Sequence, residues 1–338
     1  MYWPDPAGEP GARLIAGGDV MLGRGVKQAI LRHGPHYPLA PVADLMRGAD
    51  LTLVNLECAL TASTMRWQGA PKAFYFGGPP AAIETLTHAG VDLVSLANNH
   101  VLDFGVAGLH DTLRALRGHG IHAAGAGTNL AGARAVTVLD CGAVRVGMAA
   151  FCNHQADFTA QPDRPGIAYL DLDDELAALA VLRTALAALR RRAVAWPILS
   201  LHWGPNMAAR PSARFRRLAH GAIGMGWKMV FGHSAHVFQG IEIADGCPIL
   251  YAAGDLVDDY QVDPLFRNDH QLLFELDIAR DRLRRLTLHP LLIEQCQARY
   301  ATAEHCRWIA RRLTALCAEF GTRVHQDAEK LWIDGTGA

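Results

Sequence analysis

RLIAGGD, residues 13–19, is a short apolar run, here closed by an acid, and such runs recur along the chain. DLTLVNLE (50–57), VDLVSLANNH (91–100), VRVGMAAF (144–151), PILSLHW (197–203), KMVFGH (228–233) and PILYAAGD (248–255) repeat it. Such runs, rich in Val, Ile and Leu and closed by polar or turn residues, read as buried strands. Between them, 79–90, 105–119, the Ala/Leu-rich 173–193 and 211–225 carry helical patterns. Strands alternating with helices predict an α/β fold. QLLFELDI (271–278) and RLRRLTLHP (282–290) alternate as half-exposed antiparallel strands do. A last helix is predicted over 302–320, with Trp308, Leu313, Leu316 and Phe320 along one side. With no internal repeat and no convincing linker, residues 1–300 read as one domain. Residues 301–338 read as a helical tail packed on it.

Composition narrows the function. The 338 residues are half hydrophobic and carry a formal net charge of −1, so a sizeable core is expected and a nucleic-acid partner is not. MYWPDPAGEPGARLIAGGD lacks the basic start and continuous apolar segment of a signal peptide. No uncharged apolar run of about 18 residues appears, so no membrane partner is expected. The cysteines (58, 141, 152, 247, 296, 306, 317) form no CxxC pair and read as free thiols of a cytoplasmic protein. Nothing in these features fixes an oligomeric state.

Most of the strand runs end in groups that bind metals: Asp19, Asn55 and Glu57, Asn98 to His100, His202, His233 and Asp255. Ligands of open α/β sheets bind outside the carboxyl ends of the strands, so these endings can meet in one cleft. Each has a plain alternative. Asp19 could cap a helix, Asn98-Asn99 could form a turn, and His202 could be a core histidine beside Trp203. His233 and His236 flank the small residues Ser234 and Ala235 and favour ligation. Taken jointly, the carboxylate, amide and imidazole mixture suits a divalent ion of Zn, Mn or Fe type. The stretch 58–80 reads as a long loop able to cover a substrate, with Lys72 facing the cleft. Trp203 and Trp67 could line that cleft or be ordinary buried aromatics. Asp258 or Asp259 is expected to support the ligands, and Arg190 to Arg192 to form a solvated helix end.

Six segments together carry a resemblance: GGDVMLGR (17–24), LVNLECALT (53–61), SLANNHVLDFGVAG (95–108), LHWGPN (201–206), GHSAHVFQGIE (232–242) and LYAAGDLVDDY (250–260). In this order they resemble the motif set of the CapA family, named for poly-γ-glutamate capsule synthesis. The resemblance implies a layered α/β sandwich of the calcineurin-like metallophosphoesterase type. It also implies one or two divalent ions, Zn, Mn, Fe or Ca, held by Asp19, Glu57, Asn99, His202, His233 and His236. His100 resembles the histidine that acts as an acid near the leaving group. The chain departs from the phosphoesterase pattern at Met21, where a histidine is usual, at Glu57 and in the residue inserted between His233 and His236.

Three reactions suit this pattern. One is phosphoester hydrolysis, with His100 protonating the leaving group. Another is epimerisation of a Cα centre in a peptide or amino-acid polymer, as in family members that mature ribosomally made peptides. There His100, Asp103, His236 and Asp255 are the candidate proton carriers, and Arg24, with Lys72 and Trp203, would bind the substrate. The last is an accessory role in capsule polymer assembly. The departures from the phosphoesterase pattern favour epimerisation.

Overall fold

The computed structural model of the chain describes residues 10–328 and 330–337. The reading of the first nine residues as free of an export signal lies outside them. Two sheets face each other. In the ten-stranded first sheet, Gly11–Val20, Leu51–Leu56, Leu93–Ser95 and His122–Ala124 run parallel. The short strand Asp255–Val257 pairs with Gly11–Val20, also in parallel. In the six-stranded second sheet, Val144–Cys152, Trp196–His202, Met229–His233 and Cys247–Leu250 form the parallel centre. The long antiparallel pair His270–Ala279 and Leu283–Glu294 extends the first sheet on its other side.

Period-two alternation sorts the second sheet's side chains. Trp196 and Ile198 point into the core between the sheets, whereas Leu199, Leu201 and Trp203 point outward. The outward set is covered by helices Glu175–Arg191 and Ala213–Met225. The inward set shares one core with Leu14, Leu53 and Leu93, which stand on a common face of the first sheet. The layered α/β sandwich expected above is therefore the architecture adopted.

Asp174 caps the first of these helices by accepting from the Ala177 amide, and Ser212 caps the second through the Phe215 amide. The arginines at 190 and 192 are less free than a solvated helix end implies. They donate to the carbonyls of Met225 and Val136.

Residues 301–338 correct the expectation of a purely helical tail. Helix Ala303–Ala318 packs against strands of both sheets and places Ile309 and Leu313 in the main core. The chain then returns as strands His325–Asp327 and Lys330–Asp334, which pair with each other and, through the second, with Leu283–Glu294. Leu331 and Ile333 alternate inward here, a period of two too short to stand out beside the helix. The seven cysteines form no disulfide among the described residues; six are buried and Cys296 is half-buried.

Candidate functional site

The carboxyl ends of both parallel sets open onto one place. On the first sheet Asp19 is the register partner of Asn55 on one side and of Asp255 on the other. A bulge at Gly17-Gly18 carries the strand to that position. A side chain at Gly18 would stand 1.9 Å from the Gly254 carbonyl oxygen, so only glycine lets the strands approach there. Asp19 Oδ1 accepts from Asn55 Nδ2 at 2.7 Å, and Oδ2 accepts from the Ser234 amide at 3.1 Å. Glu57, one residue past its strand, is buried beside Asp19.

The second sheet supplies nitrogen. His202 and His233 are register partners, and their Nδ1 atoms face each other at 2.8 Å. His202 Nε2 sits 2.9 Å from Asn99 Oδ1, and His233 Nε2 sits 2.8 Å from Ser200 Oγ. His233 Nδ1 lies 3.8 Å from Asp19 Oδ1. Beyond the strand, Ser234 and His236 adopt positive φ values of 101° and 59°. Non-glycine residues hold such conformations at a cost and concentrate at functional sites. The turn brings His236 Nδ1 to 3.0 Å from Asp255 Oδ1 and 3.7 Å from Asp19 Oδ2. The residue inserted between the two histidines thus separates their partners, while both still reach Asp19.

Ligand-type atoms therefore group in two sets, Asp19 with His202 and His233, and Asp19 with Glu57, His236 and Asp255. Asp19 belongs to both. The position shared between the sets is thus the first-strand aspartate.

A third assembly borders them. His100 Nδ1 lies 2.6 Å from Asp103 Oδ2, which also accepts from the Phe76 amide at 2.7 Å. The Lys72 ammonium donates to Asp103 Oδ1 and to the Asn99 carbonyl. Phe76 stacks on the His100 ring with centroids 3.8 Å apart. His100 Nε2 points toward the first two sets, 3.9 Å from Glu57 Oε1. The 58–80 loop delivers Lys72 and Phe76 to this assembly. Asn98 does behave as a turn residue, its Oδ1 accepting from the amides of His100 and Val101, and it thereby presents Asn99 and His100 to the site.

Burial dominates the electrostatics. It raises Asp19, and it raises Glu57 and Asp255 well above the usual carboxylate range, with neighbouring acids adding to the effect on the latter two. Burial and then the charge of Asp255 also push Asp258 well up. It lowers His100 to about 4 and His233 to about 3, and takes His202 well below its ordinary value. Glu57 Oε2 and Asp255 Oδ2 are buried and meet no hydrogen-bonding N–H or hydroxyl donor among the described residues. Several buried acids, orphaned carboxylate oxygens and neutral imidazoles on one volume fit a divalent cation.

Some expected residues serve other ends. Trp203 does not line the cleft: it is buried behind the second sheet, stacked on Phe215 at 4.7 Å and donating from Nε1 to the Tyr251 carbonyl. The strand's alternation turns it away from His202. Lys72 spends its ammonium on Asp103 and Asn99, not on open space. Arg24 lies 3.3 Å from Asp259 and is flanked by Phe74, Phe76 and Tyr260. Trp67 donates to Asp157 and meets Phe158 edge-on. His154 was not anticipated, although it follows the strand Val144–Cys152 as the other site residues follow theirs. Its Nε2 is 3.5 Å from Ser234 Oγ, and its ring meets His202 edge-on at 5.7 Å.

Comparison with known proteins bears on this arrangement. The family described as bacterial capsule synthesis protein PGA_cap matches residues 13–260. A probable polyglutamine synthesis accessory protein of Mycobacterium tuberculosis is 32% identical, with 94% of each chain covered. The capsule biosynthesis protein CapA of Bacillus anthracis is 26% identical over 72% of this chain and 58% of its own length. Among solved structures, TT1561 of Thermus thermophilus aligns over 80% of this chain and 99% of its own, at 13% identity and a TM-score of 0.43. The family match spans all six motifs and every residue of the site just described, so the chain belongs to the bacterial capsule synthesis protein family PGA_cap.

Proposed function

We propose that the chain is a metal-dependent epimerase, inverting a Cα centre in a peptide or amino-acid polymer. The observation that carries this reading is the presence of two imidazole–carboxylate pairs at one site, His100 with Asp103 and His236 with Asp255. Inversion at carbon needs one group to take a proton from one face and another to return a proton to the opposite face. Hydrolysis needs no such second pair. Relatives named for polyglutamine and capsule synthesis support a peptide-like polymer as the substrate class.

In this reading Asp19, His202 and His233 hold a divalent cation, with Glu57 and Asn99 beside it. When bound, the cation supplies Lewis-acid stabilisation of negative charge on a substrate carbonyl. His100 is unprotonated at neutral pH, since burial brings it to about 4. Donation from Nδ1 to Asp103 leaves the Nε2 lone pair free to accept the α-proton. Asp103 is fixed by the Phe76 amide and Lys72, so it orients the ring and stabilises the imidazolium that forms. Phe76 shields one face of that ring from water. His236 returns a proton from Nε2 to the other face, while its Nδ1 takes up the proton that burial holds on the Asp255 carboxyl, 3.0 Å away.

Metal-dependent phosphoester hydrolysis is the second reading, favoured by Asp19 belonging to both ligand sets, as in a two-ion site. The surplus of buried acids opposes it. Asp19, Glu57, Asp255 and Asp258 surround the site, and the nearby ammonium of Lys72 is spent on Asp103. An anionic phosphate would meet that surplus, whereas a neutral peptide carbonyl would not. Incubating the ion-loaded protein with candidate peptides in D₂O separates the two. Epimerisation places one deuterium at Cα, and the His100→Ala variant places none. Turnover of an aryl phosphodiester that is lost in His100→Ala, with two ions bound per chain and no deuterium at Cα, overturns it.

A further inference from the structure

Residues 61–76 run without helix or strand, and the two ends of the stretch are tied together. Ala59–Leu60 pairs in register with Gly77–Gly78. The Ala59 amide donates to the Phe76 carbonyl, and the Thr61 amide to that of Gly78. A surface loop of this size with joined ends is an Ω-loop, a form that packs on its own side chains and often carries function. Between its ends, the main chain of this loop makes one bond to other main chain among the described residues. It runs from the Trp67 amide to the Asp103 carbonyl at 2.9 Å. The rest of the hold comes from two carboxylates on opposite walls of the cleft.

Asp103, beyond strand Leu93–Ser95 of the first sheet, is the inner one. It accepts from the Phe76 amide at 2.7 Å and from the Lys72 ammonium. Asp157, beyond strand Val144–Cys152 of the second sheet, is the outer one. Its Oδ2 accepts from Trp67 Nε1 at 2.7 Å and from the Ala70 amide at 3.1 Å. Gln155 Nε2 holds Oδ1 at 2.6 Å, so the carboxylate is aimed at the loop. The adjacent Phe158 meets the Trp67 ring edge-on at 4.9 Å and lies 4.8 Å from the Lys72 ammonium.

The two anchors differ in depth. The Asp103 and Lys72 side chains are 0% and 6% exposed. Asp157 and Trp67 are half-buried, and Ala70 is exposed. The outer anchor is thus the one that water reaches and that yields first. Without it the loop is held from the first sheet alone, and Lys72 stands only two residues beyond Ala70.

We propose that residues 61–76 are a lid joining the two walls of the site, and that Asp157 is its catch. Release of Trp67 and Ala70 from Asp157 opens the cleft and draws Lys72 and Phe76 away from the His100–Asp103 pair. Closure restores them, so His100 is braced only while the cleft is shut against bulk water. Asp157 is a positioning residue, acting on His100 through the loop. The lid serves epimerisation and phosphoester hydrolysis alike, because both use His100.

Trypsin reads the lid directly. Cleavage after Lys72 requires that side chain to leave Asp103 and enter the protease. Asp157→Ala is expected to speed this cleavage about tenfold or more. Cleavage after Arg183, exposed on helix Glu175–Arg191, should keep its wild-type rate. Asp157→Asn keeps an acceptor for Trp67 and should fall between the two proteins. Diethyl pyrocarbonate should modify His100 about tenfold faster in Asp157→Ala, with the exposed His119 as reference. A second measurement needs no variant to fold. In the wild-type protein, cleavage after Lys72 should stay nearly constant as urea rises toward the unfolding transition, since a local opening exposes little surface. Unchanged cleavage or unchanged His100 reactivity in Asp157→Ala overturns the proposal. Parallel gains after Lys72 and Arg183, or a wild-type rate that climbs with urea from the start, overturn it too. No readout here involves turnover, so absence of deuterium at Cα would defeat the epimerase reading and leave the lid standing.

Discussion

Across the cleft the first sheet offers oxygen, from Asp19, Glu57 and Asp255, and the second offers nitrogen, from His202, His233 and His236. Burial acts on both walls and moves them in opposite directions. It drives the carboxyls up and the imidazoles down, so that each wall resists being charged. The imidazoles settle this by staying neutral, which is the form that binds metals. The carboxylates cannot do so at neutral pH without a proton or a cation. The oxygen wall is therefore where an ion is needed, and the nitrogen wall is where it is selected.

Asp19→Asn should break the comparison most severely, because Asp19 serves both ligand sets. Metal content by elemental analysis should fall to background, and activity by about 10³-fold or more, since the variant removes an anionic ligand from a low-dielectric site. The chelated protein should change little in stability, because relief of a buried, desolvated acid offsets the loss of one of the two hydrogen bonds, from Asn55 and Ser234, that a single amide oxygen cannot both accept. A variant that keeps its full ion complement would show that the two walls do not meet at Asp19.

His233→Ala attacks the other wall, with a smaller effect. Ion affinity should fall by about 100-fold or more, since losing even a group that only supports a ligand costs about 10–100-fold. Here the chelated protein should be destabilised too, by about 1–3 kcal/mol, because Ser200 and His202 lose a buried hydrogen-bond partner. Thermal melts with and without chelator therefore distinguish the walls. Loss of a carboxylate should hurt only the loaded form, and loss of an imidazole should hurt both.

Much of this was legible in the chain because strand ends are local features. An apolar run followed by Asp19, Glu57, His202 or His233 announces both the strand and what stands at its end. Pairing between distant strands is not local. Nothing in the runs says that they divide between two sheets, or that His236 finds Asp255 while His233 finds His202. Lys72 was legible as a residue near the cleft but not as the partner of Asp103, since that contact depends on how a sixteen-residue irregular stretch, 61–76, is folded back. His154 was missed for a different reason. It stands two residues beyond the strand Val144–Cys152, so the loop and not the strand's alternation sets where its ring points.

The pH dependence of stability sharpens the contrast. For the carboxyls, the folded chelated protein holds protons that the unfolded chain has already released above about pH 4, near their ordinary values. Its stability should therefore fall as pH rises through that window. For the imidazoles the unfolded chain binds protons below an ordinary value of 6.5, whereas His100 and His233 remain neutral down to about 4 and 3. Their contribution falls as pH drops from 6.5. A bound ion removes the first penalty and competes with protons for the same atoms. The difference in melting temperature between ion-loaded and chelated protein should therefore widen from pH 5 to pH 8. A flat difference across that range would mean that the oxygen wall is already satisfied without an ion.

Trp203→Phe gives the smallest effect and tests whether one residue belongs to the site at all. Trp203 follows His202 directly, and that adjacency makes it a plausible cleft residue in the sequence. In a strand adjacency has the opposite meaning, because neighbours point to opposite faces. His202 faces Asp19 and His233 in the candidate metal site, and Trp203 faces Phe215 and the helices behind the sheet. The substitution keeps an aromatic ring there and removes the hydrogen bond from Nε1 to the Tyr251 carbonyl. It should cost about 1 kcal/mol in denaturant melts, the usual net worth of one such bond, with turnover and metal content unchanged. A change in KM for any peptide substrate would mean that the outer face of the second sheet reaches the substrate, and the division of labour between its two faces would have to be redrawn.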